Sequence, residues 1–406
     1  MLTEQQKDTI KATAPVLREH GTTITTRFYQ LLFEKHPKLL NIFNQANQKQ
    51  GKQQRALANS IIASAEHIDQ LESIMPVVEQ IAHKHRSLGI KPEHYPIVGE
   101  NLLIAIKDVL GDAATDDIMQ AWEDAYQVIA DIFISVEADL YEETEQQPGG
   151  WKDFKPFYIA GKVVESDVIT SFYLKPVDEQ PLPTFEPGQY ISVKLDIPSE
   201  TYTNIRQYSL SYKPNQSYFR ISVKREDEHD PNGVVSNYLH NEASVGDLLD
   251  VSAPAGEFTL DTNSTKPLVL LAGGVGITPL INMLHTVVEQ QPSRPVSIVH
   301  AVRNGDVQAF EQELTDLVLD HQHVNIYTIL SHPTADDEAN KHYHQKGFIT
   351  YDWMKDHLPM DEADFYFCGP KPFMEAVMNH LNQHGVTEDR LNFEFFGPQE
   401  ELETVQ

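Results

Sequence analysis

Apolar positions recur at steps of three and four almost without break over residues 1–141, and no alternating stretch interrupts them. That period predicts an all-helical segment. Tyr29 shares a helix face with Leu32 and Phe33, Pro37 and the Phe43 region mark a corner, and Gln53 and Leu57 lie four apart on the next helix. Ile74, Val77, Val78, Ile81, His85 and Leu88 form one apolar row, while His83 falls with Glu79, Gln80 and Ser87 on the wet side. Gly89 is placed to close that helix and Pro92 to start the next. The last helix reads Trp122, Tyr126, Ile129, Phe133, Glu137, Leu140 along one row. Glu137 thus interrupts an apolar stripe, and such a carboxylate either finds a partner or reaches water from the stripe's edge.

Residues 142–150 are acidic and then Pro/Gly-rich, which predicts a linker. Beyond them the period changes to two. Ile191, Val193 and Leu195 alternate with polar residues, as do Phe219, Ile221 and Val223, with turns at Pro187-Gly188 and Pro231-Asn-Gly233. Several such strands in residues 151–261 predict a small antiparallel β-barrel. From 266 to 406 the pattern changes again. Pro267-Leu-Val-Leu-Leu-Ala272 is a continuous apolar run, as expected of a buried parallel strand, and Val296–Val302 and Asp364–Phe367 also read as strands. This predicts an α/β domain with a parallel sheet.

Length suits two or three domains, and a net charge of −29 disfavours nucleic acid and anionic membrane as partners. No apolar run is long enough for a membrane span, and the polar N-terminus offers no signal segment. The single cysteine, Cys368, excludes an internal disulfide and an all-cysteine iron–sulfur cluster, and suits a reducing cytoplasm.

Four stretches carry chemistry. His85 sits in an apolar row, either as a core histidine or as a metal ligand, with Tyr95 close behind it and Glu137 downstream as possible orienting groups. In Arg206-Gln207-Tyr208-Ser209 the arginine, aromatic and hydroxyl read as facing one way along a strand. They suit a diphosphate, a flat ring and a ring nitrogen. Gly273-Gly274-Val275-Gly276-Ile277-Thr278 follows a strand and precedes a helix, with Thr278 as a candidate N-cap and Pro279 as N1. Backbone there would approach a phosphate at a positive helix end. Pro279 takes the last glycine position of G-x-G-x-x-G. Arg303, after the second strand, suits either an NADP 2′-phosphate or plain solvent.

Residues 1–141 resemble a globin, and the whole chain resembles the bacterial flavohaemoglobins. The resemblance implies a globin (haem) domain at 1–141, a FAD-binding β-barrel domain at 151–261 and a NAD(P)-binding α/β domain at 266–406. It implies that His85 is the proximal iron ligand of haem b, with Tyr95 and Glu137 accepting from its ring N–H and so raising its electron donation. Tyr29 is the implied distal hydrogen-bond donor, Phe43 wedges the haem, Gln53 lines the distal side and Leu57 crowds the ligand. Lys84 and Glu394 are implied to tune the haem and flavin potentials. Arg206–Ser209 is similar to the Arg-x-Tyr-Ser motif of the ferredoxin–NADP reductase superfamily, Tyr190 to its flavin-side tyrosine, and Gly233-Val-Val-Ser236 to its phosphate turn. Val234 stands where flavohaemoglobins often have Gln. Cys368-Gly-Pro resembles the nicotinamide-side motif. Phe395-Phe396-Gly397-Pro398 resembles the terminal stretch that packs on the flavin; many relatives have Cys where Phe395 stands. The implied activity is nitric oxide dioxygenation, with NO and O2 as small-molecule partners, FAD and NAD(P)H as cofactors, no obligatory protein partner, and a monomeric cytoplasmic protein. Two other classes stay open: an oxygen-binding or sensing globin whose reductase keeps iron reduced, and a haem-free flavin reductase serving another protein. Reduction of hydroperoxides, or of NO without oxygen, is a further option within the enzyme class.

Overall fold

The computed structural model describes residues 2–43, 48, 50–227 and 232–397. The chain forms two compact units: Met1–Lys155 with Ser192–Arg206 and Asp250–Ala255, and Pro156–Ile191 with Gln207–Leu249 and Gly256–Gln406.

In the first unit the helices are α1 (Glu4–Lys35), α2 (Lys52–Glu66), α3 (Met75–Leu88), α4 (His94–Leu110) and α5 (Asp116–Gln146), with a 3-10 turn at Pro37–Asn41. A Thr3–Gln6 capping box starts α1 and Thr115 caps α5. Gly89 ends α3 in the left-handed conformation, as the pattern predicts. Pro92 lies in a turn, and α4 begins two residues later at His94. A core of Ile10, Ile24, Phe28, Leu32, Ile106 and Trp122 packs these helices together. Helix α1 meets α2 closely at Gly21, where a Cβ would lie 3.3 Å from that of Ala58.

Two expectations are corrected here. The acidic start of the supposed 142–150 linker is helical, because α5 runs on to Gln146 and the buried Tyr141 donates to the Ile90 carbonyl just beyond α3. The supposed wet side of α3 is exposed at Glu79 and Gln80, but His83 is half-buried and Ser87 is buried. Arg86 and Ser87 are buried, whereas Val77 of the apolar row is 42 % exposed. The Ser192 hydroxyl donates to Ser87 Oγ at 3.0 Å, and Arg86 donates to the Pro254 carbonyl. A polar partner from later in the chain thus covers Ser87, which helical periodicity alone assigns to water.

Strands β1 (Phe154–Val164), β2 (Ile169–Pro176), β3 (Tyr190–Leu195), β4 (Asn204–Ser209), β5 (Phe219–Lys224) and β6 (Leu248–Ser252) form one antiparallel sheet. Its order is β4-β3-β6-β1-β2-β5. A bridge between Leu210 and Ile221 joins the two ends of that order, which closes a barrel. Helix α6 (Val234–Asn241) follows β5.

The parallel sheet of the second unit runs β10-β9-β8-β7-β11-β12. Its strands are β7 (Leu268–Gly273), β8 (Val296–Val302), β9 (Val324–Leu330), β10 (Gln345–Lys346), β11 (Asp364–Cys368) and β12 (Leu391–Glu394). Its helices are α7 (Ile277–Gln290), α8 (Glu311–Asp320), α9 (Ala335–Asn340), α10 (Tyr351–His357) and α11 (Lys371–His384). Every residue of β7 is buried, and the reason is alternation between two cores. Leu268, Leu270 and Ala272 pack with α7, while Val269 and Leu271 pack with α10 and α11. Strand order reverses at β7, with β8 on one side and β11 on the other, and an open sheet of this kind offers its crevice there.

An ion cluster is buried in the same unit. Arg220 on β5 holds Glu313 on α8 through two bonds of 2.8 and 2.9 Å, and His285 on α7 donates to the same carboxylate. Burial works to raise the Glu313 carboxyl, but the His285 and Arg220 hydrogen bonds outweigh it and hold it at about 2. A depressed carboxyl stabilises the fold above its ordinary value of 4.5 and loses that contribution as pH falls toward about 2. Glu313→Gln should therefore cost about 3 kcal/mol in denaturant unfolding at pH 7. It should also flatten the loss of stability below pH 4.5. Equal acid slopes for the two proteins would contradict this.

Candidate haem, flavin and nicotinamide sites

His85 lies in the last turn of α3, which Gly89 stops. Its Nδ1 is 2.7 Å from Glu137 Oε1 and 3.3 Å from the Tyr95 hydroxyl. Tyr95 on α4 donates to the same Glu137 oxygen at 2.5 Å. Glu137 is only 2 % exposed, so the carboxylate in the α5 stripe is a partnered buried group, not an edge residue. Burial, and then the Glu137 charge, raise the Tyr95 phenol, so it keeps its proton and donates. The tyrosine is itself held from behind. Tyr126 donates to the Tyr95 carbonyl at 2.6 Å, and Gly99 makes room, since a Cβ there would sit 2.4 Å from the Tyr126 ring.

With Nδ1 occupied, the other ring nitrogen of His85 makes no hydrogen bond among the described residues, and 31 % of the side chain remains accessible. No group of three or more His, Cys, Asp or Glu among the described residues could cage a bare metal ion. One free imidazole nitrogen, backed by a carboxylate, fits an iron whose other ligands come from a macrocycle.

On the other side of the helical unit Tyr29 is buried against Phe33 and Phe43, each at 5.8 Å between ring centres, and Leu57 packs in the same cluster. Burial pushes the Tyr29 phenol up, and hydrogen bonds from the Gln48 and Gln53 side chains oppose the shift. The tyrosine is therefore a protonated donor in an aromatic pocket. Gln53 is brought to it as expected. Gln48 acts on the same phenol and was not singled out in the sequence, because a polar run reads as solvated.

In the second unit the glycine loop and the cysteine motif come together. A Cβ on Gly276 would lie 2.1 Å from the Cys368 carbonyl, and one on Gly273 would lie 2.8 Å from the Phe373 ring. Glycine is required for that approach. Gly273 ends β7, and Gly274-Val275-Gly276 forms a 3-10 turn leading directly into α7 at Ile277. Thr278 is therefore not an N-cap; it lies inside the helix and donates back to the Val275 carbonyl at 3.0 Å. A residue missed in sequence is His300. Burial holds it down to about 4, so it is neutral, and its Nε2–H donates to the Gly274 carbonyl at 3.1 Å. Cys368 is buried at the end of β11, paired with Glu394 of β12, and burial followed by the Glu394 charge pushes its thiol up. The turn fits a dinucleotide phosphate: Gly273 and Gly276 let it pack tightly at the strand end, and Gly274 between them has open space where a side chain would stand.

The flavin candidates lie on the strands and turn expected of them. Gly256 accommodates the Tyr190 ring, 2.9 Å from where its Cβ would be. Arg206 and Tyr208 are partly accessible on β4; a period of two puts Ser209 on the opposite face, and it is buried. Gln207 is half-buried between them. Gly233 precedes α6 and has no room for a side chain, since a Cβ would lie 2.6 Å from the Ser236 hydroxyl. Phe395 is half-buried, whereas Phe396 and Gly397 are exposed. Pro398 lies outside the described residues. Lys84, half-buried, precedes His85 on α3.

A carboxylate-backed axial imidazole and a glycine-walled strand end are the working parts of an electron-transfer enzyme. On one chain they define an oxidoreductase that combines a haem globin with a flavin–nicotinamide reductase. Family models match accordingly: globin over residues 26–133, oxidoreductase FAD-binding domain over 159–260 and oxidoreductase NAD-binding domain over 270–379. A flavohemoprotein of Oceanobacillus iheyensis is 52 % identical over 402 residues, covering 99 % of this chain and 98 % of that one. The crystal structure of flavohemoglobin from Malassezia yamatoensis, with bound FAD and heme, matches with a TM-score of 0.85 at 29 % identity. It covers 98 % of this chain and all of that one. The FAD/NAD-binding domain of a nitric oxide dioxygenase from Vibrio cholerae matches 61 % of this chain and all of that one, at 37 % identity and a TM-score of 0.56. The chain belongs to the flavohemoprotein family and takes haem, FAD and a nicotinamide dinucleotide as cofactors. Among the described residues no helix is long and apolar enough to cross a membrane.

Glu137→Gln keeps the size of the side chain and removes its charge. In the haem-loaded, reduced protein the iron–histidine vibration should fall in frequency, because a neutral amide draws the His85 ring proton less strongly. An unchanged band would show that the carboxylate does not act on the ligand.

Proposed function

We propose that the protein is a nitric oxide dioxygenase, which combines NO and O2 into nitrate at the haem and is re-reduced by NAD(P)H through FAD. The observation that carries this is the single Glu137 oxygen that takes hydrogen bonds from both His85 and Tyr95. When bound, haem supplies gas binding and one-electron chemistry, FAD divides an electron pair, and NAD(P)H supplies the hydride.

The protein's own groups set the conditions. Glu137 holds the His85 proton on Nδ1, which leaves the Nε2 lone pair as the ligand and increases its basicity. That electron release favours attack by a bound gas, whereas a storage globin gains nothing from it. Tyr29 holds its proton in the aromatic pocket on the other side and offers it to a polar ligand. The Gly273–Gly276 turn leaves backbone open to a pyrophosphate, and His300 holds the Gly274 carbonyl in place. The likeness to the Vibrio cholerae domain supports the same reaction. All the electrons come through one chain, so no protein partner is required and a monomer suffices. The cytoplasm, where NAD(P)H is held, is the fitting location.

Nitrate formation from NO and O2 takes one electron, and each NAD(P)H gives two. NADH oxidation should therefore accompany the loss of two NO and two O2, with nitrate as product. Tyr29→Phe should slow NO consumption about tenfold or more. NO loss at an undiminished rate without O2 would make the enzyme a reductase instead.

A further inference from the structure

Helix α7, which opens directly on the glycine turn, is tied at two consecutive residues to the strands that carry the flavin candidates Tyr190, Tyr208 and Ser209. Leu210 follows Ser209 at the end of β4. Its N–H donates to the Gln189 carbonyl at 2.9 Å, beside Tyr190 at the start of β3. Its own carbonyl takes a hydrogen bond of 2.8 Å from the Asn282 side chain on α7. A carbonyl only accepts, so the amide end facing it is the NH2 end. Met283, the next residue of α7, meets the turn before β3. A Cβ on Gly188 would lie 2.6 Å from the Met283 Cε, so glycine is what lets helix and turn come this close.

Asn282 is fully buried, and its Oδ1 has no hydrogen-bond partner among the described residues. A buried unpaired acceptor costs free energy, and the fold carries that cost at the residue that joins α7 to Leu210. The segment after Leu210 is held as well. Arg220 donates to the Ser211 carbonyl and, at 3.2 Å, to its hydroxyl, while its other bonds go to Glu313 on α8. The Tyr212 and Phe310 rings flank the guanidinium at 4.9 and 5.0 Å. Ile277, the first residue of α7, stands only about 7.5 Å of helix rise before Asn282. A helix is stiff over that length, so the glycine turn moves with Asn282.

We propose that Asn282 is a positioning residue for hydride transfer: with Met283 it sets the register of α7, and so of the Gly273–Gly276 turn, against strands β3 and β4. In that transfer a nicotinamide C–H bond breaks and a flavin N–H bond forms. Both electrons move with the hydride, so NADH becomes NAD+ and the flavin is left reduced. The rate depends steeply on how the two rings are aligned, whereas binding of the dinucleotide alone does not. The inference rests on the reductase half of the proposed function and is independent of what the haem does with the electrons.

The test uses the full-length protein loaded with haem and FAD, without oxygen. Asn282→Leu keeps the size of the side chain and removes the amide. On rapid mixing with NADH, the limiting rate of flavin bleaching should fall about tenfold. The NADH concentration giving half that rate, the NAD+ dissociation constant by titration calorimetry and the FAD content should stay at their native values. Met283→Leu conserves volume but withdraws the Cε group from Gly188. It should give a smaller fall of the same kind, and it decides the matter if Asn282→Leu does not hold FAD. An unchanged limiting rate in the deciding variant would overturn the proposal. So would a loss that is fully accounted for by weaker NAD+ binding, which would make these residues parts of the binding site and not of the alignment. A protein that shows the predicted split yet makes no nitrate would overturn the dioxygenase reading and leave the inference standing.

Discussion

A charged carboxylate held away from water is among the most expensive groups a fold can keep, and Glu137 is one. It is tolerable only while His85 and Tyr95 both donate to it. That condition fixes three helices at once, because His85, Tyr95 and Glu137 come from α3, α4 and α5. It explains the features around it. Gly89 stops α3 one turn after the ligand, Tyr126 braces the Tyr95 backbone, and Gly99 has no side chain because the Tyr126 ring occupies that space. The same bond sets the chemistry, since an imidazole whose far proton is held by a carboxylate is a stronger electron donor than one facing a carbonyl.

The second unit meets its function by a different route. Its apolar strand β7 divides its residues between two cores and ends in a glycine turn. The turn is packed so tightly against Cys368-Gly369 that a methyl group would collide with backbone. His300 adds a buried neutral donor beneath the turn. Packing thus supplies rigidity, and missing side chains supply access.

Much of this was legible in the sequence because it follows from period and local chemistry. The His85 row, the lone carboxylate at Glu137, the left-handed cap at Gly89 and the apolar run of β7 each have a local signature. Tyr95 as a proximal partner came through family likeness, which period alone does not supply. What stayed hidden depends on residues far away in the chain. Ser87 reads as wet, and Arg86 draws no reading, because nothing nearby announces Ser192 or Pro254 as partners. Gln54 sits in a polar run, and only the folded crossing of α1 and α2 buries it and brings the Thr25 hydroxyl to its carbonyl. Thr278 looks like a cap, but a 3-10 turn enters α7 one residue before it. Ser209 was assigned to the face of Arg206 and Tyr208 although strand alternation puts it on the other, and Ser209 is buried where those two are partly accessible.

The account holds that one chain carries nicotinamide electrons through flavin to a haem on His85. Its most direct test is the absorption spectrum of the purified protein before and after NADH, without oxygen. The account predicts that flavin and haem bands are both present and that both become reduced. A flavin that bleaches beside an absent or unchanged haem band would contradict it.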